Sequence, residues 1–68
     1  MYNDTKYADS IIGRNVHITS GCVKIDASGT VERYEIYNNE IIYVIRAHDG
    51  HKAHIGTNSP DFMIEVLD

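Results

Sequence analysis

The fold is decided by residues 29–56, which read GTVERYEIYNNEIIYVIRAHDGHKAHIG. Two turn-forming dipeptides, Asn38-Asn39 and Asp49-Gly50, divide this stretch into three segments rich in branched and aromatic side chains. Asparagine and glycine accept the positive φ angles of tight hairpin turns, and branched side chains pack well on a pleated surface. The stretch therefore predicts three antiparallel strands joined by two two-residue turns.

The flanking sequence predicts two further strands and no long helix. The chain holds ten Ile and five Val against one Leu and four Ala, and branched residues favour β structure over helix. Ser59-Pro60-Asp61 is typical of a single 3₁₀ turn. Residues 1–12 are expected to form a short N-terminal arm, and residues 13–68 one folded domain. The predicted strands span residues 16–19, 29–37, 40–47, 51–55 and 62 or 63 to 67, with a longer loop over residues 22–28.

The two turns also predict how the strands pair. The first places Tyr37 opposite Glu40 and Tyr34 opposite Tyr43, and the second places Val44 opposite Ile55. Both faces of the resulting meander are apolar, and a flat meander cannot bury both. A β-bulge near residues 32–33 is one solution, and a cover formed by the arm or by a second copy of the chain is the other.

We expect the first face to form a barrel interior. The predicted interior consists of aliphatic side chains only: Val16, Ile18, Val31, Ile42, Val44, Ile55, Ile64 and Val66. The opposite face carries Tyr34, Ile36, Ile41, Tyr43 and Ile45, and we expect Ile11, Ile12 and the rest of the arm to cover it in part. Because two faces need cover, a homodimer is a further hypothesis.

Charge and composition exclude several classes of protein. The net charge is −4, and the six Lys and Arg residues are scattered, which disfavours non-specific nucleic-acid binding. Cys22 is the single cysteine, so neither an internal disulfide nor a Cys–Cys zinc pair can form. No apolar run is long enough to span a membrane, and no secretory signal is recognisable. We therefore expect a cytoplasmic protein without a membrane anchor.

Candidate catalytic and metal sites are weak in this sequence. His48, His51 and His54 recur at three-residue intervals, but in a hairpin His54 faces away from the other two, and a zinc site needs converging ligands. A nucleophilic Cys22 with His17 lacks a third, orienting residue. No glycine-rich phosphate-binding loop occurs either. The sequence therefore predicts a protein that is not an enzyme and that uses no metal or cofactor.

Two motifs carry a family resemblance. Gly13-x-x-Val16-x-Ile18-x-Ser20-Gly21, followed by Gly29-Thr30-Val31, resembles the KOW motif of ribosomal proteins and transcription elongation factors. The segment YVIRA-x-DGH over residues 43–51 is similar to a stretch found in Tudor-like small bacterial barrels. With five strands and a 3₁₀ turn before the last, the chain resembles a small SH3-like barrel. This resemblance implies a binding module rather than an enzyme.

Three hypotheses of function follow. The first is a protein–protein interaction module, a regulatory or accessory factor, whose contact surface also includes the 22–28 loop. Its contact residues would be Tyr34, Tyr37, Asn38, Asn39, Tyr43 and Ile45, since tyrosines suit contact surfaces. The second is a nucleic-acid-binding KOW-like module that uses Arg14, Lys24, Arg33 and Arg46. The third is an acidic, phage-encoded inhibitor of a host nucleic-acid-processing enzyme.

Overall fold

The computed structural model describes residues 4–22 and 24–68, and within them the protein is one short helix and one antiparallel sheet. Residues 1–3 of the predicted arm and Val23 of the predicted loop lie outside the described residues. No helix in the described ranges is long and apolar enough to cross a membrane. The elements are α1 (Thr5–Ile11), β1 (Asn15–Ser20), β2 (Ile25–Tyr37), β3 (Glu40–Arg46), β4 (Lys52–Gly56) and β5 (Met63–Val66).

The sheet has five strands in the order β4-β3-β2-β1-β5, and all neighbouring pairs are antiparallel. The predicted all-β class with five strands is therefore confirmed. The edge strands β4 and β5 do not pair with each other within the described residues, so hydrogen bonds do not close the sheet into a barrel. The thirteen-residue β2 joins the two halves, because its first half pairs with β1 and its second half with β3.

The β2–β3 hairpin has the predicted register. Tyr37 lies opposite Glu40 and Tyr34 opposite Tyr43. Asn38 and Asn39 have φ angles of 51° and 61°, which are the positive values that this two-residue turn requires. The register shifts between Val31 and Arg33, so the predicted β-bulge is present too.

The β3–β4 hairpin differs from the prediction by one residue. The Ala47 amide donates to the His51 carbonyl at 2.8 Å, and the Gly50 amide donates to the Ala47 carbonyl at 3.0 Å. Gly50 has a φ of 91°, so the loop is a turn followed by a left-handed glycine rather than a two-residue turn. Ile55 therefore lies opposite Tyr43 and not opposite Val44.

This one-residue shift corrects the predicted core. Side chains alternate between the two faces of a strand, so a shift of one position turns Ile55 to the same face as Tyr43 instead of Val44. The bulge in β2 likewise places Val31 opposite Ile45. Ile41, Tyr43 and Ile45 belong to the main apolar cluster, whereas Ile42 is half-buried and the buried Val44 lies outside that cluster. The other predicted core residues are placed as expected except Val66, which is half-buried: Val16, Ile18, Val31, Ile55 and Ile64 are buried.

The arm contributes a helix to the core. Asp4 caps α1 by accepting a hydrogen bond from the Lys6 amide at 2.8 Å. Ala8 and Ile11 are buried in the same cluster as the core face of β3, while Ile12 is exposed. In this way α1 of the same chain covers part of the apolar face that carries the tyrosines, while Ile36 on that face is 60% exposed.

One predicted connection is corrected, and a second forms the expected turn. The chain does not form a long loop over residues 22–28, because β2 begins at Ile25 and pairs at once with Ser20 of β1. The expected 3₁₀ turn is a single hydrogen-bonded turn, in which the Phe62 amide donates to the Ser59 carbonyl at 3.2 Å. This turn belongs to the loop that joins edge strand β4 to edge strand β5 and that contacts the end of β1 and the start of β3.

Candidate functional site

An open cleft lies where the β1–β2 turn, the start of β3 and the β4–β5 loop meet. Its volume is about 490 Å³, within the usual range of ligand-binding clefts. Its walls combine apolar side chains with hydrogen-bond acceptors, and no Lys, Arg or His is among them. The lining residues are Cys22, Ile25, Glu40, Gly56, Asn58, Ser59 and Pro60.

Asp61 fastens the β4–β5 loop to the end of β1 beside the cleft. Its Oδ1 accepts hydrogen bonds from the Ser59 hydroxyl at 2.7 Å and from the buried Ser20 hydroxyl at 2.8 Å. Its Oδ2 accepts the Cys22 amide at 2.8 Å. These donors, the Ser59 hydroxyl foremost, hold the pKa of the Asp61 carboxyl well below its usual value. The carboxylate thus keeps two loops together at one wall of the cleft.

Replacing Asp61 by asparagine is expected to lower the free energy of unfolding at neutral pH and to matter less in acid. The native pKa of Asp61 lies below its unfolded value of about 3.9, so its ionisation stabilises the fold above about pH 4. That stabilisation is lost progressively as the pH falls towards the native pKa. Urea unfolding of both proteins over a pH series would show their difference shrinking on acidification.

Glu65→Gln is the matched control for this series, because Glu65 is exposed and has no polar partner within the described ranges. This control is expected to leave the pH dependence nearly unchanged. A gap between wild type and Asp61→Asn that stays constant over the whole series would show that the carboxylate charge is not what stabilises the loop.

Glu40 also lines the cleft and is held in place by the β4–β5 loop. Its Oε2 accepts the Asn58 amide at 3.1 Å. Gly56 leaves room for it, since a Cβ at that position would overlap the Glu40 carboxylate, with the carboxyl carbon only 2.9 Å away. Glu40 also lies opposite the exposed Tyr37 in the hairpin register. The carboxylate is therefore fixed within the cleft, next to an exposed aromatic ring.

The cleft is poorly suited to nucleophilic chemistry. The hydrogen bond and negative charge of Asp61 raise the pKa of the Cys22 thiol, which disfavours the reactive thiolate. His17, the nearest histidine in sequence, contacts Asp26 instead, with Nε2 and Oδ1 2.6 Å apart. In the described part of the chain, no group of three or more His, Cys, Asp or Glu side chains is arranged to hold a metal ion.

The predicted partner-binding residues are divided between the core and the surface. Tyr43 and Ile45 are 0% and 2% exposed, so their assignment to a contact surface is wrong. Tyr34 is half-buried beneath α1, and its hydroxyl donates to Asp9 at 2.7 Å. Tyr37 is 60% exposed, and the turn residues Asn38 and Asn39 are exposed as well. Of the predicted surface, the hairpin tip and residues Cys22, Lys24, Asp26 and Ser28 of the 22–28 segment are exposed.

The predicted nucleic-acid contacts are partly neutralised by carboxylates. Arg14 Nε lies 2.9 Å from Asp68 Oδ1, and Arg33 Nη2 lies 3.2 Å from Glu35 Oε2. Lys24 and Arg46 are exposed, at the β1–β2 turn and at the end of β3. Two of the four cations therefore face acidic partners, and Glu32 lies near both Arg33 and Arg46.

The sequence did not indicate that Ser20, Glu40 and Asp61 would act at one site. Ser20 and Asp61 are 41 positions apart, and Glu40 and Asn58 are 18 apart. The Ser-Pro-Asp motif predicts a turn at residues 59–61, but no local pattern predicts that Asp61 contacts Ser20 of β1.

Comparisons with known proteins add no candidate identity. A scan against protein-family models, a search of curated proteins and a search of solved structures each find no match to this chain.

Proposed function

We propose that this chain is a non-enzymatic binding module, of SH3-like type, that recognises a segment of another protein in the cleft described above. The observation that carries the proposal is the cleft itself, with apolar and acceptor groups side by side and two walls fixed by carboxylates. Sites with walls fixed before binding lose less conformational entropy when a ligand binds. The strand order and the long, shared β2 support the SH3-like part of the proposal.

Binding rather than catalysis agrees with the chemistry of the cleft. The oxygens of Asp61 are occupied by three hydrogen-bond donors, and the Cys22 thiol is kept protonated by its neighbour. Neither group is therefore prepared to transfer a proton or attack a substrate. We propose that the protein acts in the cytoplasm, where the exposed Cys22 thiol would stay reduced.

The negative charge of this protein favours a protein ligand over a nucleic acid. The net charge is −4, and Glu40 and Asp61 place negative charge at the cleft. Phosphate backbones would be repelled there, because nucleic-acid affinity depends on neutralisation by Lys and Arg. The exposed Tyr37 beside Glu40 supplies the kind of amphipathic ring that is enriched in protein interfaces.

Filling the cleft with a bulky ring is expected to weaken binding strongly. Asn58→Trp places an indole at the cleft, while the backbone amide of residue 58 can still donate to Glu40. Selection of a random peptide library against the wild-type protein should yield peptides that lose at least about tenfold in affinity for this variant, the effect of about 1.4 kcal/mol. Isothermal calorimetry on individual peptides measures the loss.

His51→Trp is the matched control, since His51 is exposed at the β3–β4 hairpin tip and does not line the cleft. It adds the same indole and is expected to leave affinity unchanged. Circular dichroism establishes that both variants are folded. Peptides that bind both variants as well as they bind the wild type, or a selection that recovers no peptide, would overturn the proposal.

A further inference from the structure

Glu40 differs from almost every other acidic side chain in its surroundings. Most of the other carboxylates contact a cation, a histidine or a neutral donor that satisfies them. The side-chain contacts are Asp9 with Tyr34, Asp26 with His17, Glu32 with Lys52, Glu35 with Arg33, Asp49 with His51, Asp61 with Ser20 and Ser59, and Asp68 with Arg14. Within the described residues, Glu40 accepts one backbone amide and has no cation within 4 Å. It is also half-buried, whereas the other two carboxylates without a side-chain partner, Asp4 and Glu65, are exposed.

The position of the Glu40 carboxylate is set before any ligand arrives. The Asn58 amide holds Oε2, and the bare backbone of Gly56 leaves the space that the carboxylate occupies. A half-buried charge in a site of reduced solvent access interacts more strongly with an opposite charge than one in open water does. A fixed carboxylate that lacks a cation is therefore complementary to a cationic group supplied from outside.

The rest of the cleft favours the same ligand. The ionised Asp61, which is hydrogen-bonded to the lining residues Cys22 and Ser59, adds negative potential beside the cleft, and no lining side chain is basic. Ile25 and Pro60 offer apolar surface next to these acceptors. Lys and Arg side chains combine an aliphatic stem with a charged end, so the stem can lie on apolar surface while the end reaches a carboxylate.

We propose that the cleft recognises a lysine or arginine side chain in an extended segment of the partner protein, and that Glu40 is the residue that selects it. This inference rests on the proposed function and specifies its ligand. A cleft of about 490 Å³ is larger than one side chain, so the residues on either side of the cation also contact the walls. The neighbouring Tyr37 ring extends this surface along the β2–β3 hairpin.

The test is the same peptide selection, carried out with wild-type protein, Glu40→Gln and Glu35→Gln. Wild-type protein should enrich Lys or Arg at one peptide position, and Glu40→Gln should lose that enrichment. The affinity of the selected peptides should fall about ten- to a hundredfold, as expected for a lost charge-assisted hydrogen bond. Glu35→Gln removes the same charge from the same sheet, but from a carboxylate that already faces Arg33, and should behave as wild type.

The outcomes distinguish a failure of this inference from a failure of the proposed function. Peptides that need the open cleft but show no Lys or Arg preference would overturn this inference and leave the binding module standing. No cleft-dependent peptide at all would overturn both. Spermidine that displaces the selected peptides at equal concentration would show a site for small cations rather than for a protein segment. Equal losses in both glutamine variants would assign the effect to net charge and not to Glu40.

Discussion

Replacing Tyr43 by alanine is expected to leave the protein largely unfolded at room temperature. Tyr43 is 0% exposed and is the largest fully buried side chain in the core. Truncation of a large buried aromatic residue costs about 3–5 kcal/mol through lost apolar contacts and the cavity that remains. A single core in a chain of this size supplies about 3–5 kcal/mol of stability in total. Urea unfolding followed by circular dichroism measures the loss.

Two companion variants make this prediction specific. Tyr37→Ala removes the same side chain from the same hairpin, but at a position that is 60% exposed, and should change stability by about 0.5 kcal/mol or less. Tyr43→Phe retains the ring and should remain folded. If Tyr43→Ala melted at nearly the wild-type temperature, the face that β3 presents to the core would have to be reassigned.

Gly29→Ala is expected to have the second-largest effect. A Cβ at Gly29 would lie 2.8 Å from Ile45 Cγ2 and 2.9 Å from the carbonyl carbon of Arg46, and closer still to the Arg46 oxygen. The overlapping atoms include backbone, which cannot move aside as the end of a flexible side chain can. Overpacking of this kind costs about 1–3 kcal/mol or more, which exceeds the gain of about 0.4–1 kcal/mol from a less flexible unfolded chain.

Ser28→Ala serves as the control for this variant, since Ser28 is the exposed neighbour on the same strand. It should unfold at nearly the wild-type urea concentration. Gly29→Ala is expected to unfold at a clearly lower urea concentration than both Ser28→Ala and the wild type. A Gly29→Ala protein more stable than wild type would mean that β2 and β3 do not approach as closely here as the structure shows.

The β2–β3 hairpin shows how far local signals reach. Asn38 and Asn39 determine a tight turn, and a tight turn sets the pairing of every residue on the strands that it joins. The bulge between Val31 and Arg33 was predictable as well, because uninterrupted alternation would have left too much apolar surface unburied. These features depend on neighbours in sequence, and the register therefore follows from the residues alone.

The β3–β4 hairpin shows where local signals become ambiguous. Asp49-Gly50 is compatible with a two-residue turn and with a three-residue loop that ends in a left-handed glycine, and the structure has the second. This loop turns Ile55 of β4 to the same face of the sheet as Tyr43. Tyr43 is buried on that face rather than available to a partner. Packing against α1 favours that choice, because Ala8 and Ile11 contribute to the same cluster.

The amino-acid sequence by itself determined the class of the fold, the number of strands and the first hairpin, since each depends on composition or on residues close together in the chain. The tertiary structure alone decided which face is buried and where a ligand could bind. Glu40 contacts Asn58, and Asp61 contacts Ser20, because the β4–β5 loop lies against the start of β3 and the end of β1. Contacts between such distant positions arise from the packing of the whole domain, and no short pattern encodes them.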